Sequence, residues 1–494
     1  MSFTLAISTA SAPACRALVQ AALDTDPRVL PVPGPACVAW RAADQRAAVV
    51  TWGTPRVSWI WPEPASGAIH ARTGVARVDP VYVAELPGTV VVSDRASWAA
   101  AVTRRLGTPD PVMIAALLNL GFPLGDATPF RGVRALGAAR SLRAVGGRLA
   151  VREAPAALSA TTATALTDAV APLSEAAEPV ELSLTGGKDS RLIAAALSAA
   201  KVPFRARTHG VTAHPDVTGA RAIADRLGVE HVVTEPKPPG EASGTDVLAR
   251  LRSAVLVADG MLSAFENTGR PDPAFAAAPI QLGGHGGELL RGGYASYARN
   301  PLRGAEQFRR LTTRRLRLLT PAAAGGYLAT LAPWTARFPR GPMRALDDFY
   351  LANRAGRWSA AARQAYRLRS ELIQPFFDDG VVRAARAVPL RDRVSGQLHR
   401  DLLAALMPEL ADIPYAGRGS APAVVDWRRG YGEDIAAFFR GYVLDQGSAL
   451  SGIVNRRAAE RVLRPPHTDH ETVWLLATVT ALLSQDWLQA RASA

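Results

Sequence analysis

The sequence predicts an α/β protein with a mainly β N-terminal region, a parallel-sheet region and a helical C-terminal part. Three observations predict this fold class. Short β-rich segments separated by turn residues occupy residues 1 to about 155, strands alternate with helices from residue 180 to about 235, and helical patterns dominate after about residue 295. Such alternation is typical of a parallel sheet covered by helices on both faces.

The N-terminal region contains four segments that predict strands: ACVAWRAA, AAVVTWGT, VSWIWPEP and GTVVVSDRA. One helix is predicted over Asp110–Pro123. An Ala/Thr/Ser-rich stretch from Glu153 onward predicts a helical connector that leads to a strand at Val180. We therefore divide the chain into residues 1–155 and residues 156–494.

The bulk composition predicts two or three globular domains, because the chain has 494 residues of which 48% are apolar. The two cysteines, Cys15 and Cys37, lack paired spacing, which argues against a disulfide framework or a thiolate metal site. No apolar run approaches the roughly 18 residues of a membrane span, and the N-terminus lacks the features of a signal peptide. We expect a cytoplasmic protein with no membrane partner.

The formal net charge of +14 comes almost entirely from arginine, since the lysines are Lys188, Lys201 and Lys237 alone. A basic chain attracts anions, including nucleotides, nucleic acid and acidic peptides. The densest basic stretch, RRLTTRRLRLL at Arg309–Leu319, predicts a solvated amphipathic helix. Recognition of an acidic peptide, a carrier protein or RNA is the alternative for this stretch.

The stretch LSLTGGKDSRL, residues 182–192, predicts an anion site. A strand ends near Leu184, two adjacent glycines follow, and a helix begins with Asp189 or Ser190 as its N-cap. Backbone N–H groups at such a helix start attract phosphate. The spacing matches neither a dinucleotide-binding loop nor a P-loop. A carboxylate beside a phosphate site suggests a Mg²⁺ ligand, which would be Asp189.

A second stretch, PIQLGGHGGELLRGGYASY at Pro279–Tyr297, has the same layout of strand, glycine loop and helix start. Glu288 stands where Asp189 stands in the first stretch. Parallel strands deliver their C-terminal loops to one edge of the sheet. We therefore expect Asp189 and Glu288 to hold one metal-bound pyrophosphate.

These motifs resemble those of a known family. LTGGKDS resembles the S-G-G-x-D-S loop of the N-type ATP pyrophosphatases, and GHGGELLRGGY resembles a loop of asparagine synthetases and their amide-forming relatives. Further similarity lies in Thr208–Val233, Gln374–Pro389 and Leu402–Trp427. Ala115–Leu149 is similar to the end of their N-terminal glutaminase domain. The resemblance implies a degenerate, Ntn-glutaminase-like α+β sandwich followed by a parallel-sheet ATP pyrophosphatase domain.

The resemblance also implies a chemistry. ATP and Mg²⁺ adenylate a carboxylate, pyrophosphate leaves, and an amine attacks the acyl-adenylate to give an amide and AMP. The metal ligands implied are Asp189 and Glu288. The residues implied for ATP and pyrophosphate are Leu184, Thr185, Gly186, Gly187, Lys188, Asp189, Ser190, Thr208, His209, Gly210, Gly284 and Gly286.

The first departure from the family concerns the source of the amine. Glutamine-dependent members begin, after loss of Met, with a catalytic cysteine, whereas this chain has Ser2 there and Cys15 well inside. A hydroxyl is far less nucleophilic than a thiolate at neutral pH, so we expect no glutaminase activity. The amine then belongs to a substrate, as in β-lactam synthetases and the macrolactam cyclases of lasso peptides.

Two further departures concern catalytic residues. His285 occupies the position of a catalytic glutamate or tyrosine in the relatives, and imidazole can accept the amine's proton, although a structural role for His285 is equally open. The family's C-terminal lysine is missing. Arg418 is the nearest cation, although ungapped alignment places Ala416 there, and an ordinary loop arginine is the alternative. Lys188 is another candidate cation.

The sequence therefore predicts an ATP-dependent amide synthetase, foremost a macrolactam cyclase acting on a peptide, with a peptide-delivering protein as a further partner. No Glu lies between Glu306 and Glu371, which counts against the β-lactam alternative. Ligation of a small metabolite and a catalytically silent scaffold remain the other hypotheses. A tRNA-modifying role is disfavoured by the N-terminal region, so we do not expect nucleic acid as a partner.

Overall fold

The computed structural model describes residues 2–9, 36–40, 47–53, 58–63, 66–154, 161–176, 179–235, 242–266, 280–298, 301–366, 372–416 and 426–489. Within these ranges the predicted order of a β-rich region, a parallel sheet and a helical part is confirmed. No helix in this part of the chain is long and apolar enough to cross a membrane.

The described N-terminal residues form two antiparallel sheets that pack face to face. The strands are β1 (Ser2–Thr9), β2 (Ala36–Trp40), β3 (Ala47–Gly53), β4 (Ile60–Pro62), β5 (Ile69–Arg72), β6 (Tyr82–Leu86), β7 (Thr89–Ser93), β8 (Val133–Ala135), β9 (Arg140–Val145) and β10 (Arg148–Glu153). The sheet orders are β2-β3-β1-β7-β6-β8 and β10-β9-β5-β4. Alternate apolar residues such as Val83 and Val92 of one sheet pack against Ile69 and Leu142 of the other. The four strands predicted from the sequence are present.

The outer face of the larger sheet packs against helices. Residues of opposite parity, including Tyr82 and Val91, join one apolar cluster with the helices Ala96–Val102 and Pro111–Leu120. The second helix lies within the predicted Asp110–Pro123 segment. The Asp110 carboxylate accepts hydrogen bonds from the N–H groups of Val112 and Met113 and begins the helix. The region is thus an α+β sandwich, whereas its glutaminase-like identity and the boundary at residue 155 stay predictions.

A parallel sheet forms the centre of the second half of the chain. Its strands are β11 (Val180–Ser183), β12 (Phe204–His209), β13 (His231–Thr234), β14 (Gln281–Gly283) and β15 (Leu372–Ile373), in the order β13-β12-β11-β14-β15. The helix Thr162–Val170 precedes β11, and the helices Lys188–Ala199, Pro215–Leu227 and Gly244–Ala258 lie between the successive strands from β11 to β14. The chain progresses outward from β11 in one direction and then from β14 in the other. The crevice between these two strands is therefore the topological switch point, where open α/β sheets bind ligands.

The remainder of the chain is mostly helical, as predicted. Its α-helices are Gly304–Thr312, Pro321–Thr335, Pro342–Phe349, Ala360–Tyr366, Asp379–Ala387, Leu390–Val394, Gln397–Leu406, Glu433–Asp445, Gly447–Leu450, Arg456–Val462 and His470–Ser484, and Tyr350–Ser359 is a π-helix. The apolar cluster under the N-terminal sheet continues into this part through residues such as Phe349, Phe439 and Trp474. The two halves of the chain therefore share one core.

The prediction of one continuous helix over Arg309–Leu319 is wrong. The α-helix ends at Thr312, and a short 3₁₀-helix follows at Leu316–Leu318. The Thr312 carbonyl accepts hydrogen bonds from Asn119 Nδ2, at 2.5 Å, and from the Tyr327 hydroxyl, at 2.7 Å. Long-range partners take the carbonyl that a continuing helix would need for itself.

Candidate active site

The two glycine loops meet at the switch point. β11 and β14 pair in parallel, with Ser183 opposite Gly283, so both loops leave the same edge of the sheet. A Cβ on Gly284 would lie 2.7 Å from the Ser190 backbone N, and a Cβ on Gly287 would lie 2.2 Å from Asp189 Cγ. The second loop thus packs directly on the helix start that follows the first loop, and glycine makes that approach possible.

The first loop is closed by its own side chains. Gly187 N–H donates to Thr185 Oγ1 at 3.1 Å, and Thr185 N–H donates to Ser190 Oγ at 3.0 Å. The expectation that Asp189 or Ser190 is the N-cap is wrong, because the helix begins at Lys188 with Gly187 as its N-cap. The Ser190 hydroxyl instead reaches back to the loop. No side chain caps this helix, which leaves its N-terminus open toward an anion.

Gly186 joins the loop to two distant segments. Its N–H donates to the Asp216 carbonyl at 3.0 Å, and its carbonyl accepts from Ala416 N–H at 3.1 Å. A Cβ on Gly186 would lie 2.8 Å from the Ala416 Cβ. Ala416, which ungapped alignment matches to the family lysine, therefore touches the loop but brings no charge. Arg418, the predicted replacement, lies outside the described residues, as does Cys15.

Asp189 is bound by an arginine that the sequence interpretation overlooked. Both guanidinium Nη atoms of Arg291 bond to its carboxylate, with Nη2 at 3.0 Å from Oδ2. Burial opposes the charge of Arg291, but the hydrogen bonds and charge of Asp189, with the charge of Glu288, outweigh it and raise the pKa of Arg291. Arg291 lies in the segment LLRGGY, at the end of the second glycine loop. Its positive charge beside a predicted phosphate site was the sequence signal that could have identified it.

His399 is a second residue that the sequence interpretation missed. Its Nε2 lies 3.0 Å from the Lys188 carbonyl and 3.9 Å from Asp189 Oδ1. Burial, reinforced by the positive charge of Arg291, lowers the pKa of His399 to about 4. The neutral ring therefore donates Nε2–H to the Lys188 carbonyl and fixes the first turn of the helix.

Tyr415 places two cations beside the first loop. The Arg191 guanidinium lies 4.2 Å from the centre of the Tyr415 ring, and Lys188 Nζ lies 5.1 Å from it. Arg191 is fully buried and donates to the Gly186 and Pro414 carbonyls, so its role is to tie the loop to the segment before Ala416. Lys188 is exposed at the mouth of the site.

The predicted adenine-side residues lie at the end of β12. Thr208 is buried, and its hydroxyl donates to the Leu184 carbonyl at 2.8 Å, so it links β12 to the first loop. Leu184 is likewise buried. His209 is exposed as the last residue of the strand, and Gly210 N–H donates to the Thr234 carbonyl. His209 is therefore exposed at the end of β12, and Gly210 begins the bend that follows this strand.

His285 lies exposed on the second loop, next to Gly286, whose φ of +95° favours glycine. Among the described residues, its imidazole has no hydrogen-bond partner, so no structural capping role is visible there. Glu288 is partly buried beside Tyr350, and burial together with the Glu288 charge raises the pKa of Tyr350. His285 and Glu288 thus project from the same short loop, His285 toward solvent and Glu288 toward Tyr350.

Comparison with known protein families agrees with this geometry. A family model described as asparagine synthase matches residues 161–489, about two thirds of the chain. The chain belongs to the asparagine synthase family. Members of that family form amide bonds with ATP, and this chain is accordingly an ATP-dependent ligase by family. A search of curated proteins finds no match.

The carboxylates of this asparagine synthase relative fit a magnesium nucleotide. Mg²⁺ is held in nucleotide sites by one or two carboxylates, with phosphate oxygens and water as its other ligands. Asp189 and Glu288 supply that number, and no larger group of His, Cys, Asp and Glu suited to a metal occurs among the described residues. The donor set therefore suits a metal that arrives with ATP better than a resident metal.

Proposed function

We propose that this protein joins a substrate carboxylate to a substrate amine at the expense of ATP, which it cleaves to AMP and pyrophosphate. The carboxylate oxygen attacks the α-phosphorus, the bond to pyrophosphate breaks, and an acyl-adenylate forms. The amine nitrogen then attacks the acyl carbon, AMP leaves, and the proton of the attacking amine passes to a base. The finer proposal is that both groups belong to one peptide, so that the product is a macrolactam.

One observation supports the adenylation most directly. The two glycine loops interlock at the switch point, so that Gly284 and Gly287 pack on the helix start that carries Asp189 and Ser190. The uncapped helix N-terminus beside them favours the charge of pyrophosphate. A strand–turn–helix corner that binds no ligand would not require two glycines to pack so closely on the start of its helix.

Each charged or titratable residue around this point has a separate role in the proposed reaction. Asp189 and Glu288 would hold Mg²⁺, which neutralises phosphate charge when it is bound with ATP. Arg291 occupies the Asp189 carboxylate, so in our proposal it exchanges that partner for a phosphate oxygen when the nucleotide binds. Lys188 at the mouth of the site supplies a further positive charge. His285 is exposed on the second loop and accepts the proton of the amine.

The macrolactam proposal depends on the source of the amine. Ser2 is the first residue of β1, where glutamine-dependent relatives have cysteine, so we assign the N-terminal region no ammonia supply. An intermolecular ligation of a small metabolite uses the same site and differs only in the product. A silent scaffold is the third hypothesis, and retention of both Asp189 and Glu288 favours activity over it.

Analysis of the nucleotide products tests the proposal. The protein is incubated with ATP, Mg²⁺ and a peptide and metabolite extract of its host, and AMP is resolved from ADP by mass spectrometry. We expect AMP and pyrophosphate from the wild type, at least about a hundredfold less from Asp189→Asn, and unchanged turnover from Asp401→Asn, an exposed control on the helix Gln397–Leu406.

The products separate the hypotheses. A product lighter than an extract component by one water indicates ring closure, and a product that joins two components indicates ligation. Formation of ADP would contradict adenylation. Absence of any nucleotide turnover or ATP binding would favour the scaffold.

A further inference from the structure

An apolar groove opens on the helical part of the chain, away from the glycine loops. Its volume is about 840 Å³, within the range of ligand and peptide sites. Its walls are the helices Gly304–Thr312 and Pro321–Thr335 and the turn that leads to Pro342. The lining residues on which the argument depends are Leu302, Phe308, Arg309, Leu328, Phe338 and Pro342.

Apolar side chains on both rims of this groove face water. Leu302 is 91% exposed and Leu328 is 40% exposed, although both are large aliphatic residues. At the base, the rings of Phe308 and Phe338 pack with their centres 4.7 Å apart. A contiguous apolar surface of this kind is typical of an interaction site.

The rim of the groove is positively charged. No carboxylate is among the lining residues, and Arg309 is one of them. Arg303 follows Leu302 in the chain, and Arg340 lies between Pro339 and Pro342. None of the described carboxylates pairs with these three arginines, whereas Arg310 nearby is paired with Glu306 at 2.6 Å. The rim therefore has cationic groups that an acidic partner can engage.

The base of the groove is connected to the candidate active site through aromatic rings. Phe308 packs edge-to-face on Phe349 at 5.0 Å, and Phe349 lies 6.2 Å from Tyr294. Tyr294 in turn packs on Tyr350 at 5.1 Å, and Tyr350 lies beside Glu288. A series of packed rings, Phe308, Phe349, Tyr294 and Tyr350, thus runs from the base of the groove to the second glycine loop.

We propose that this groove binds an acidic amphipathic peptide segment of a partner protein. Leucine-like side chains on one face of the segment fill the groove between Leu302 and Leu328, as in helix-in-groove recognition. Carboxylates along its flanks meet Arg303, Arg309 and Arg340. RNA fits the charge but not the surface, because the rings at the base are buried rather than presented for base stacking. The inference is independent of which amide the protein forms.

Fluorescence anisotropy with a designed probe tests the proposal on the full-length protein. The probe is a labelled helical peptide of about four turns, with Leu on one face and Glu on the other. Two matched peptides carry Lys in place of Glu or Ser in place of Leu. We expect micromolar binding of the Leu/Glu peptide and at least about tenfold weaker binding of both matched peptides.

Variants of the protein locate the binding. Leu328→Glu and Arg309→Glu each weaken binding of the Leu/Glu peptide at least about tenfold, whereas Arg152→Glu, an equal charge change on the exposed edge strand β10, does not. The substituted groove residues are exposed, and Leu328→Ser and Arg309→Ala serve if melting temperatures show that a Glu variant is misfolded.

Several results would overturn the proposal. Failure of the Leu/Glu peptide to bind would do so, as would equal weakening by Arg152→Glu, which would indicate attraction to the net charge alone. Tight binding of the peptide that carries Ser in place of Leu would show that apolar contacts in the groove do not contribute to binding. Binding of a single-stranded RNA that depends on Arg309 but not on Leu328, in place of the peptide, would assign the arginines to nucleic acid.

Discussion

Gly283 and Gly284 are neighbours in the chain, but their surroundings are very different. A Cβ on Gly284 would lie 2.7 Å from the Ser190 backbone N, whereas a Cβ on Gly283 would have no atom within 4 Å. The first of these contacts involves backbone, so no side-chain rotation can relieve it. Glycine is required at Gly284 by the approach of the two loops and is not required at Gly283 by any contact.

This contrast gives a matched pair of substitutions. We expect Gly284→Ala to push the second loop from the helix Lys188–Ala199, to destabilise the fold by about 1–3 kcal/mol and to weaken ATP binding. Gly283→Ala should leave both within about 0.5 kcal/mol of the wild type. Denaturant unfolding and calorimetric ATP titration measure the two effects, and equal behaviour of the two variants would contradict the loop contact.

At the scale of elements, the helix Pro215–Leu227 packs unusually close to the first loop. A Cβ on Gly219 would lie 2.6 Å from Gly186 Cα, so two glycines face each other across the contact. Gly325 also lies inside a helix, Pro321–Thr335, but a Cβ there would have no atom within 4 Å. The same residue type therefore has a packing role in one helix and none in the other.

We expect replacement of glycine by alanine to have opposite effects on the free energy of unfolding at Gly219 and Gly325. Alanine favours a helix by about 1 kcal/mol over glycine, so Gly325→Ala should raise the free energy of unfolding by roughly that amount. Gly219→Ala should lower it by about 1–2 kcal/mol, because overlap with Gly186 outweighs the helix preference. Urea unfolding of both variants measures the signs, and stabilisation by Gly219→Ala would show that the contact is looser than described.

The helices near the C-terminus contain a pH-sensitive element. His467 Nε2 donates to the Leu463 carbonyl at 3.3 Å, and its Nδ1 accepts from the Tyr431 hydroxyl at 2.9 Å. Burial lowers the pKa of His467 below its usual value near 6.5, while the backbone hydrogen bond to Leu463 partly opposes that shift. The neutral ring therefore fits the site better than the protonated ring.

The unfolded chain consequently binds a proton at His467 more readily than the folded chain. Stability that depends on the neutral ring is present above about pH 6.5 and is lost as the pH falls toward the folded-state pKa. We expect the wild type to lose up to about 1 kcal/mol more than His467→Gln between about pH 7.5 and about pH 5.5. Urea unfolding at both values measures this difference, and identical losses would remove His467 from the acid response.

At the scale of the whole molecule, a buried ion pair joins the N-terminal region to the second half of the chain. Arg95 and Asp259 are both fully buried, with Arg95 Nη2 at 2.6 Å from Asp259 Oδ1. The same carboxylate accepts from Ser97 Oγ at 2.6 Å and from Gln364 Nε2 at 2.9 Å. Together with the shared apolar cluster, this network couples the folding of both halves.

Removal of the carboxylate should therefore destabilise the entire chain. We expect Asp259→Ala to cost about 3–5 kcal/mol, because it leaves Arg95 buried without a counter-charge. The exposed pair of Arg140 and Glu153 is the control, and Glu153→Ala should cost less than about 1 kcal/mol. Calorimetry should show one unfolding transition that shifts as a unit, and melting of the N-terminal region alone would contradict the coupling.

Local patterns in the sequence were sufficient for the element types and for the two glycine loops. Alternation over Val180–Leu184 predicted β11, strand–helix alternation predicted the parallel sheet, and the doubled glycines predicted where the loops lie. Each of these signals depends on side-chain periodicity or backbone freedom within a few residues. The helix over Arg309–Leu319 was predicted too long, because distant Asn119 and Tyr327 take the carbonyl at Thr312.

By itself, the sequence determined the strands β2, β3, β4, β7 and β11 to β14, the helical character of the C-terminal part and the residue types available to the site, since these follow from local chemistry. Only the tertiary structure decided which residues meet: Arg291 binds Asp189 from 102 positions away, and His399 reaches Lys188 from 211 positions away. Ala416 likewise reaches Gly186 only because distant segments converge. Pairs at such separations depend on sheet order and helix packing, which no short window of sequence contains.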